Sequence, residues 1–218
     1  MSSPGLVVVG DIHGCAEKLA SLLDSDCFSE RVAVFLGDYV DLGRSSKETI
    51  DLLINFSKRT PSIYLCGNHD LAMLNYLKTG DFASYAKIGG IATIVSYCKV
   101  LQGDVLSQFR TSVPDSHLEF LQNLKTYHET TSFVLSHCGV SVDAPSDRSL
   151  DAMVVQSHQE LFTRSHGLSK TVVCGHYYQR GLVPFFRERF VCIDTGCGAL
   201  VGGRLTALLL PELEYVQF

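Results

Sequence analysis

Tryptophan is absent from this chain of 218 residues, and methionine and proline are scarce at three and six. Charge is thin as well: 19% of residues are Asp, Glu, Lys or Arg, with a formal net of −5. Disordered chains combine more charge with less apolar content, so 46% hydrophobic residues imply a folded chain with a core. The negative net charge argues against binding a nucleic-acid duplex, because such binders neutralise phosphates with Lys and Arg. No apolar run approaches the ~18–20 residues that span a bilayer. The start, MSSPGLVVVGD, has neither the basic flank nor the long apolar stretch of an export signal. A cytoplasmic protein with no membrane partner is therefore expected. No CxxC pair occurs among the eight cysteines, which disfavours structural zinc and leaves buried reduced thiols as the expectation. Repeats, low-complexity tracts and Pro/Gly/Ser linkers are also missing, so 1–218 is expected to be one domain.

What is present is a rhythm. Leu6–Val9 is a short β-branched run, followed by GDIHG and a helical pattern over Ala16–Leu23. Val32–Leu36 is a second run, followed by GDYVD and a helical pattern over Lys47–Lys58. Ile63–Leu65 is a third, followed by GNHD and Leu71–Leu77. Short apolar strands alternating with amphipathic helices imply βαβ units on a buried parallel sheet. The middle, Tyr85–Leu124, reads as helical, with breaks at Gly89–Gly90 and near Pro114. Strands then return at Phe133–Leu135, Val172–Cys174, Phe190–Ile193 and Leu205–Leu210, with a helix expected within Leu150–His166. The expected fold class is α/β: two sheets or one split sheet, with helices outside.

Each early strand ends in glycine and a polar residue able to bind metal. In open α/β sheets, ligands bind outside the carboxyl ends of the strands. Asp11 and His13 close the first strand, Asp38 the second and Asn68 the third; His137 and His176 close two later ones. Singly each is weak, since Gly-Asp is an ordinary turn and an isolated histidine is ordinarily structural. Together, in order, they point to one dinuclear metal site. Carboxylate, imidazole and amide donors without thiolate favour a hard or borderline ion. A shared carboxylate can bridge two ions ~3.5–4 Å apart, which make hydroxide near neutral pH and clamp a phosphoryl group. His69 follows Asn68 and should point elsewhere, as a proton donor to the leaving group, with Asp41 holding its imidazole. His117, His128, His158 and His166 are expected to be structural.

GDIHG (10–14), GDYVDxG (37–43), GNHD (67–70), His137 and GH (175–176) resemble the metallophosphoesterases of the phosphoprotein phosphatase type. In order and spacing they are most similar to the small bacterial and phage serine/threonine phosphatases. GGIATIVSY (89–97) and IDTGCGALVGGRLTALLL (193–210) fit the bacterial group, and the likeness spans nearly the whole chain. It implies a four-layer α/β/β/α sandwich, a calcineurin-like domain over 1–218 with a mostly helical insertion around 85–124. It further implies Asp11, His13 and Asp38 on one ion, and Asp38, Asn68, His137 and His176 on the other. His69 and Asp41 become the acid dyad, and manganese the usual ion, with iron or zinc as alternatives.

Departures from the pattern bear on substrate. The family motif is usually GDYVDRG, with an arginine that grips phosphate; here Leu42 stands in its place. A second arginine usually lies between the two late histidines, where Gln156 occupies its place. Arg44, Arg148 and Arg164 are the candidate substitutes. Neither Leu nor Gln can offer the bidentate fork of a guanidinium. Cys138 and Tyr177 flank the late ligands, and Asp70 replaces a glutamate common in the serine/threonine enzymes. That replacement also occurs in symmetrical diadenosine tetraphosphate hydrolases of the superfamily. The first expectation is a metal-dependent phosphatase acting on phosphoserine or phosphothreonine proteins and small phosphoesters. The alternatives are a hydrolase of dinucleoside polyphosphates or phosphodiesters, and a non-catalytic metal-binding adaptor of the same fold. Oligomeric state is left open.

Overall fold

The computed structural model describes residues 4–218. Two five-stranded sheets lie face to face. The first has the order β10-β9-β1-β2-β3, from β1 (Gly5–Val9), β2 (Arg31–Phe35), β3 (Ser62–Tyr64), β9 (Thr206–Leu210) and β10 (Glu214–Gln217). The second has the order β4-β5-β6-β8-β7, from β4 (Tyr127–Glu129), β5 (Phe133–Ser136), β6 (Thr171–Cys174), β7 (Phe185–Arg187) and β8 (Phe190–Cys192). Central strands run parallel, with Val7 opposite Ala33 and Val172 opposite Phe190. The strands β9, β10, β4 and β7 join antiparallel.

Period-two alternation sorts the side chains of each strand. Leu6, Val8, Val34, Leu36, Leu135, Val173 and Val191 form the buried layer between the sheets. Val7, Val9, Ala33 and Phe35 point the other way, into a core shared with the helices. Those helices are α1 (Ala16–Leu23), α2 (Ser46–Ser57), α3 (Asn68–Thr79), α4 (Phe82–Lys87), α5 (Gly90–Tyr97), α6 (Val105–Ser112) and α7 (Asp115–Gln122). The helical middle is thus four short helices, α4 beginning just before Tyr85. Its two expected breaks are real: Gly89 caps α5 with φ 97°, and Pro114 caps α7.

The outcome is the expected α/β sandwich with an unequal fourth layer. Over the outer face of the second sheet, the helix expected within Leu150–His166 is a π turn at Asp151–Val155 and a 3-10 turn at Gln159–Phe162. Their side chains Met153, Val154 and Leu161 still bury the outward face of Val134, Val172 and Cys174. All eight cysteines are free thiols, and six are buried. No helix among the described residues is long and apolar enough to cross a membrane.

Candidate active site

The carboxyl ends of β1, β2, β3, β5 and β6 open on one side of the sandwich, and the six predicted ligands meet there. Asp38 is the hub. Its Oδ2 lies 3.4 Å from His137 Nε2, 3.6 Å from His13 Nε2 and 4.0 Å from His69 Nε2. Ligand atoms of Asp11, Asp38 and His137 lie within 4.8 Å of one another, as do those of His13, Asp38 and His69. Asn68 Oδ1 is 2.9 Å from both His137 Nε2 and His176 Nδ1.

The backbone is bent to make this possible. His13, Asp38, Asp41, Leu42 and His176 hold left-handed φ angles of 45°, 52°, 70°, 61° and 64°. Non-glycine residues avoid that region, and such local strain concentrates at functional sites. Two motif glycines are required by close approach. A Cβ on Gly67 would fall on the Asp38 carboxylate, and one on Gly175 on the Asp11 carboxylate.

Hydrogen bonding fixes which nitrogens face inward. His13 Nδ1 donates to the Val40 carbonyl at 3.0 Å, and His137 Nδ1 to the Leu36 carbonyl at 3.2 Å. Each Nε2 then faces Asp38; burial lowers the pKa of His13, whereas for His137 the Asp38 charge outweighs burial and raises it. Burial, together with the charge of the neighbouring His137, lowers His176 to about 4, so that imidazole is neutral. Its Nδ1 faces His137 Nε2 at 3.3 Å. Lone pairs and carboxylates this close repel unless a cation or proton sits among them, so the donor set fits divalent metal. The same field acts on Asp38: burial pushes its carboxyl up, but His137, His69 and His13 outweigh burial and hold it well below the usual range. Cys138 lies within reach of His137 and His176, yet burial keeps its thiol protonated and Sγ donates to the Val154 carbonyl.

His69 is turned to the Asp41 side. Its Nδ1 is 2.9 Å from Asp41 Oδ2, and its backbone N–H donates to Asp38 Oδ1 at 3.0 Å. Burial lowers its pKa, but Asp38 and then Asp41 raise it further, to about 9. The imidazole is therefore a charged donor with Nε2–H facing the centre.

Several residues of the site escaped sequence reasoning. Asp41 Oδ1 accepts from Tyr85 Oη and Thr93 Oγ1, each at 2.7 Å. Thr93 lies inside GGIATIVSY, so the signal was present without its role. Asp70 accepts the backbone N–H groups of Asp38 (2.9 Å), Tyr39 (3.0 Å) and Gly67 (2.9 Å), locking two ligand loops together. Asp194, just past β8, is buried against Asp11; burial first, then the charge of Asp38, raises it to about 6. It carries the same strand-end signal as the predicted ligands.

The three candidate arginines differ. Arg148 is held by Glu129 at 3.1 Å, and Arg164 by Asp143 at 2.8 Å; no hydrogen bond of either reaches the cluster. Arg44 is exposed and makes no ion pair among the described residues. Leu42 leans on Gly89, and Gln156 hydrogen-bonds Asp151 within its own π turn. Of the histidines expected to be structural, His117 bridges Tyr97 and Asp51, His158 meets the Ala152 carbonyl, and His166 meets that of Arg189.

Fold and site together define a metallophosphoesterase, and the family sequence model described as calcineurin-like phosphoesterase matches residues 5–180. The chain belongs to that family and is a hydrolytic enzyme. Among its relatives, the asymmetrical bis(5'-nucleosyl)-tetraphosphatase PrpE of Halalkalibacterium halodurans is 27% identical, covering 96% of this chain and 92% of that protein. Its namesake in Anoxybacillus flavithermus is 26% identical with the same coverage. The serine/threonine-protein phosphatase PP1-delta of Caenorhabditis elegans is 40% identical over 75 residues, 33% of this chain and 25% of its own length. A crystal structure of a candidate diadenosine tetraphosphatase superposes with a TM-score of 0.66 at 21% identity, covering 99% of this chain and 93% of that one.

Proposed function

We propose that this chain hydrolyses dinucleoside polyphosphates, of the diadenosine tetraphosphate class, at a dinuclear metal centre. The observation that carries the chemistry is Asp38 faced by three imidazoles at the mouths of adjacent strands. End-to-end similarity to tetraphosphatases, against a match to PP1-delta over one third of the chain, favours the nucleotide reading over the phosphoprotein one. The relatives' printed specificity suggests asymmetrical cleavage, to a nucleoside triphosphate and a monophosphate.

In this reading Asp11, His13 and Asp38 hold one divalent cation. Asp38, Asn68, His137 and His176 hold the second, manganese before iron or zinc. Such a pair, when bound, supplies a nucleophilic water of lowered pKa and a clamp on phosphoryl oxygens. The remaining work belongs to side chains. Asp70 fixes the Asp38 and Asn68 loops by its three amide contacts. His69 gives its Nε2 proton to the departing oxygen, while the Asp41 carboxylate accepts the hydrogen bond from Nδ1–H, which stays on the ring, and orients the imidazole. Arg44 is the guanidinium free to meet the polyphosphate.

The lost family arginines agree with this substrate. A monoester phosphorus carries two negative charges at neutral pH, whereas an internal phosphoanhydride phosphorus carries one and needs less cationic clamping. The test is a rate comparison on manganese-loaded protein between diadenosine tetraphosphate and a phosphothreonine peptide. The expected result is at least tenfold higher kcat/KM for the nucleotide, with ATP and AMP as products. The reverse ranking returns the chain to phosphoprotein hydrolysis. No turnover of any phosphoester, with two metals bound, supports the adaptor reading.

A further inference from the structure

Beside the candidate centre lies a cleft of about 420 Å³, lined by Ser157, Gln159, Phe162, His176, Tyr177 and Tyr178. Small-molecule sites usually span about 300–1,000 Å³ and combine aromatic walls with a few polar groups. One wall is the ring of His176, so whatever sits here lies next to the reacting phosphorus. Tyr177 is built in. Its ring meets His176 edge-on at 4.7 Å and Phe162 at 5.4 Å, and its hydroxyl donates to the Cys138 carbonyl at 3.1 Å. Tyr178 is not: it is 46% exposed, and among the described residues it packs on no other ring and its hydroxyl makes no hydrogen bond. Gln159 is likewise exposed, with its amide unpartnered.

An exposed ring, a rigid aromatic floor and a free amide match the two features of a nucleobase, a π face and a hydrogen-bonding edge. We infer that this cleft is the base subsite for one nucleoside of the substrate: the ring of Tyr178 stacks on the base and Gln159 meets its edge. This deepens the function proposed above and rests on it for the identity of the occupant. It also assigns specificity to the segments around the π and 3-10 turns. Base stacking there holds a nucleotide without the guanidinium forks that positions 42 and 156 lack.

Binding of adenosine monophosphate and of ribose 5-phosphate to metal-free protein, measured by calorimetry, tests the subsite apart from turnover. The full chain is expected to bind the nucleotide more tightly than the base-free sugar phosphate. Tyr178→Ala should weaken the nucleotide about tenfold, within the range for one base–aromatic stack, and leave ribose 5-phosphate unchanged. Tyr178→Phe, which keeps the ring, should restore binding to within about twofold. Equal affinity for the two ligands, or an unaffected Tyr178→Ala, overturns the subsite. So does binding of a phosphotyrosine peptide, with loss on Tyr178→Ala, when the nucleotide shows none. Failure of the wild-type chain to cleave diadenosine tetraphosphate, with the binding pattern intact, would sink the proposed reaction and leave the base subsite standing.

Discussion

Replacing Tyr85 by phenylalanine removes one oxygen and tests the charged dyad at its least obvious point. Asp41 is fully buried, and its Oδ1 is held by two hydroxyl donors, Tyr85 and Thr93, each at 2.7 Å. Burial, and then the Asp41 charge, push the Tyr85 hydroxyl well above its ordinary range, so it remains a donor at every accessible pH. A buried hydrogen bond to a charged group contributes about 1.5–3 kcal/mol. Thr93 still satisfies Oδ1 in the variant, which places the loss near the lower end, about 1.5–2 kcal/mol. The ring itself is unaffected and keeps its stack on Tyr76 at 4.9 Å. In a chain of this length that loss lowers Tm by roughly 3–8 °C. Urea unfolding of Tyr85→Phe, Thr93→Val and the double variant supplies the cycle. The double variant should lose more than the sum of the singles, because only then is Oδ1 left without a hydroxyl donor. Turnover should fall less than tenfold in Tyr85→Phe, since the His69 contact is on Oδ2. A change below about 0.5 kcal/mol would refute an ionised Asp41 and, with it, the charged His69.

Asp38→Asn should abolish stoichiometric binding at both metal positions; mass-spectrometric metal analysis still giving two ions per chain would contradict the bridging role. The folded pKa of His69 lies above its unfolded value, so its stabilising contribution is complete below about 6.5 and is lost as pH rises through about 9. Urea midpoints of metal-free wild-type protein should therefore fall more steeply over that window than those of His69→Asn. Parallel curves would show that the imidazole is not held charged. With metal restored, His69→Asn should slow alkyl phosphate hydrolysis far more than that of an aryl phosphate, whose leaving group needs little protonation; equal losses would dismiss the acid role. Leu42→Arg should raise phosphomonoester activity, and a flat or reduced rate would show that another group already grips the phosphate.

How much was legible in the sequence follows from how each part is encoded. Asp11, His13, Asp38, Asn68, His137 and His176 were legible because each ends a strand, and parallel strands bring their ends to one side. Asp194 carries the same signal and was passed over because it sits inside a segment recognised only as a whole. Tyr85 and Thr93 were illegible for another reason. They reach Asp41 from α4 and α5, across sequence separations of 44 and 52 residues, and nothing local announces such a meeting. Asp70 looked like a substitution at a family position, but its meaning is three amides from two loops. The strands β7 and β10 were missed because they are short edge strands with exposed residues, so their apolar runs are weak. The helix expected within Leu150–His166 failed similarly: its apolar residues Met153, Val154 and Leu161 are buried by two separate turns rather than one helical face.

The features that depart from the family pattern form one consistent set. Leu42 and Gln156 remove guanidinium clamps, and Arg148 and Arg164 are committed to Glu129 and Asp143. In the proposed reading, such a site offers a doubly charged phosphoryl group fewer guanidinium contacts than the family pattern does. The proposed acid side is, by contrast, heavily reinforced: the Asp41 carboxylate meets Tyr85, Thr93 and His69, and its backbone N–H donates to Ser46 Oγ. Beyond His176 the surface is aromatic rather than basic. A substrate suited to this division has low charge on the reacting phosphorus and an aromatic end that binds without cations. Dinucleoside polyphosphates have both properties, and phosphoserine has neither. In the proposed reading, specificity then resides in the cleft at Tyr178 more than in the metal ligands.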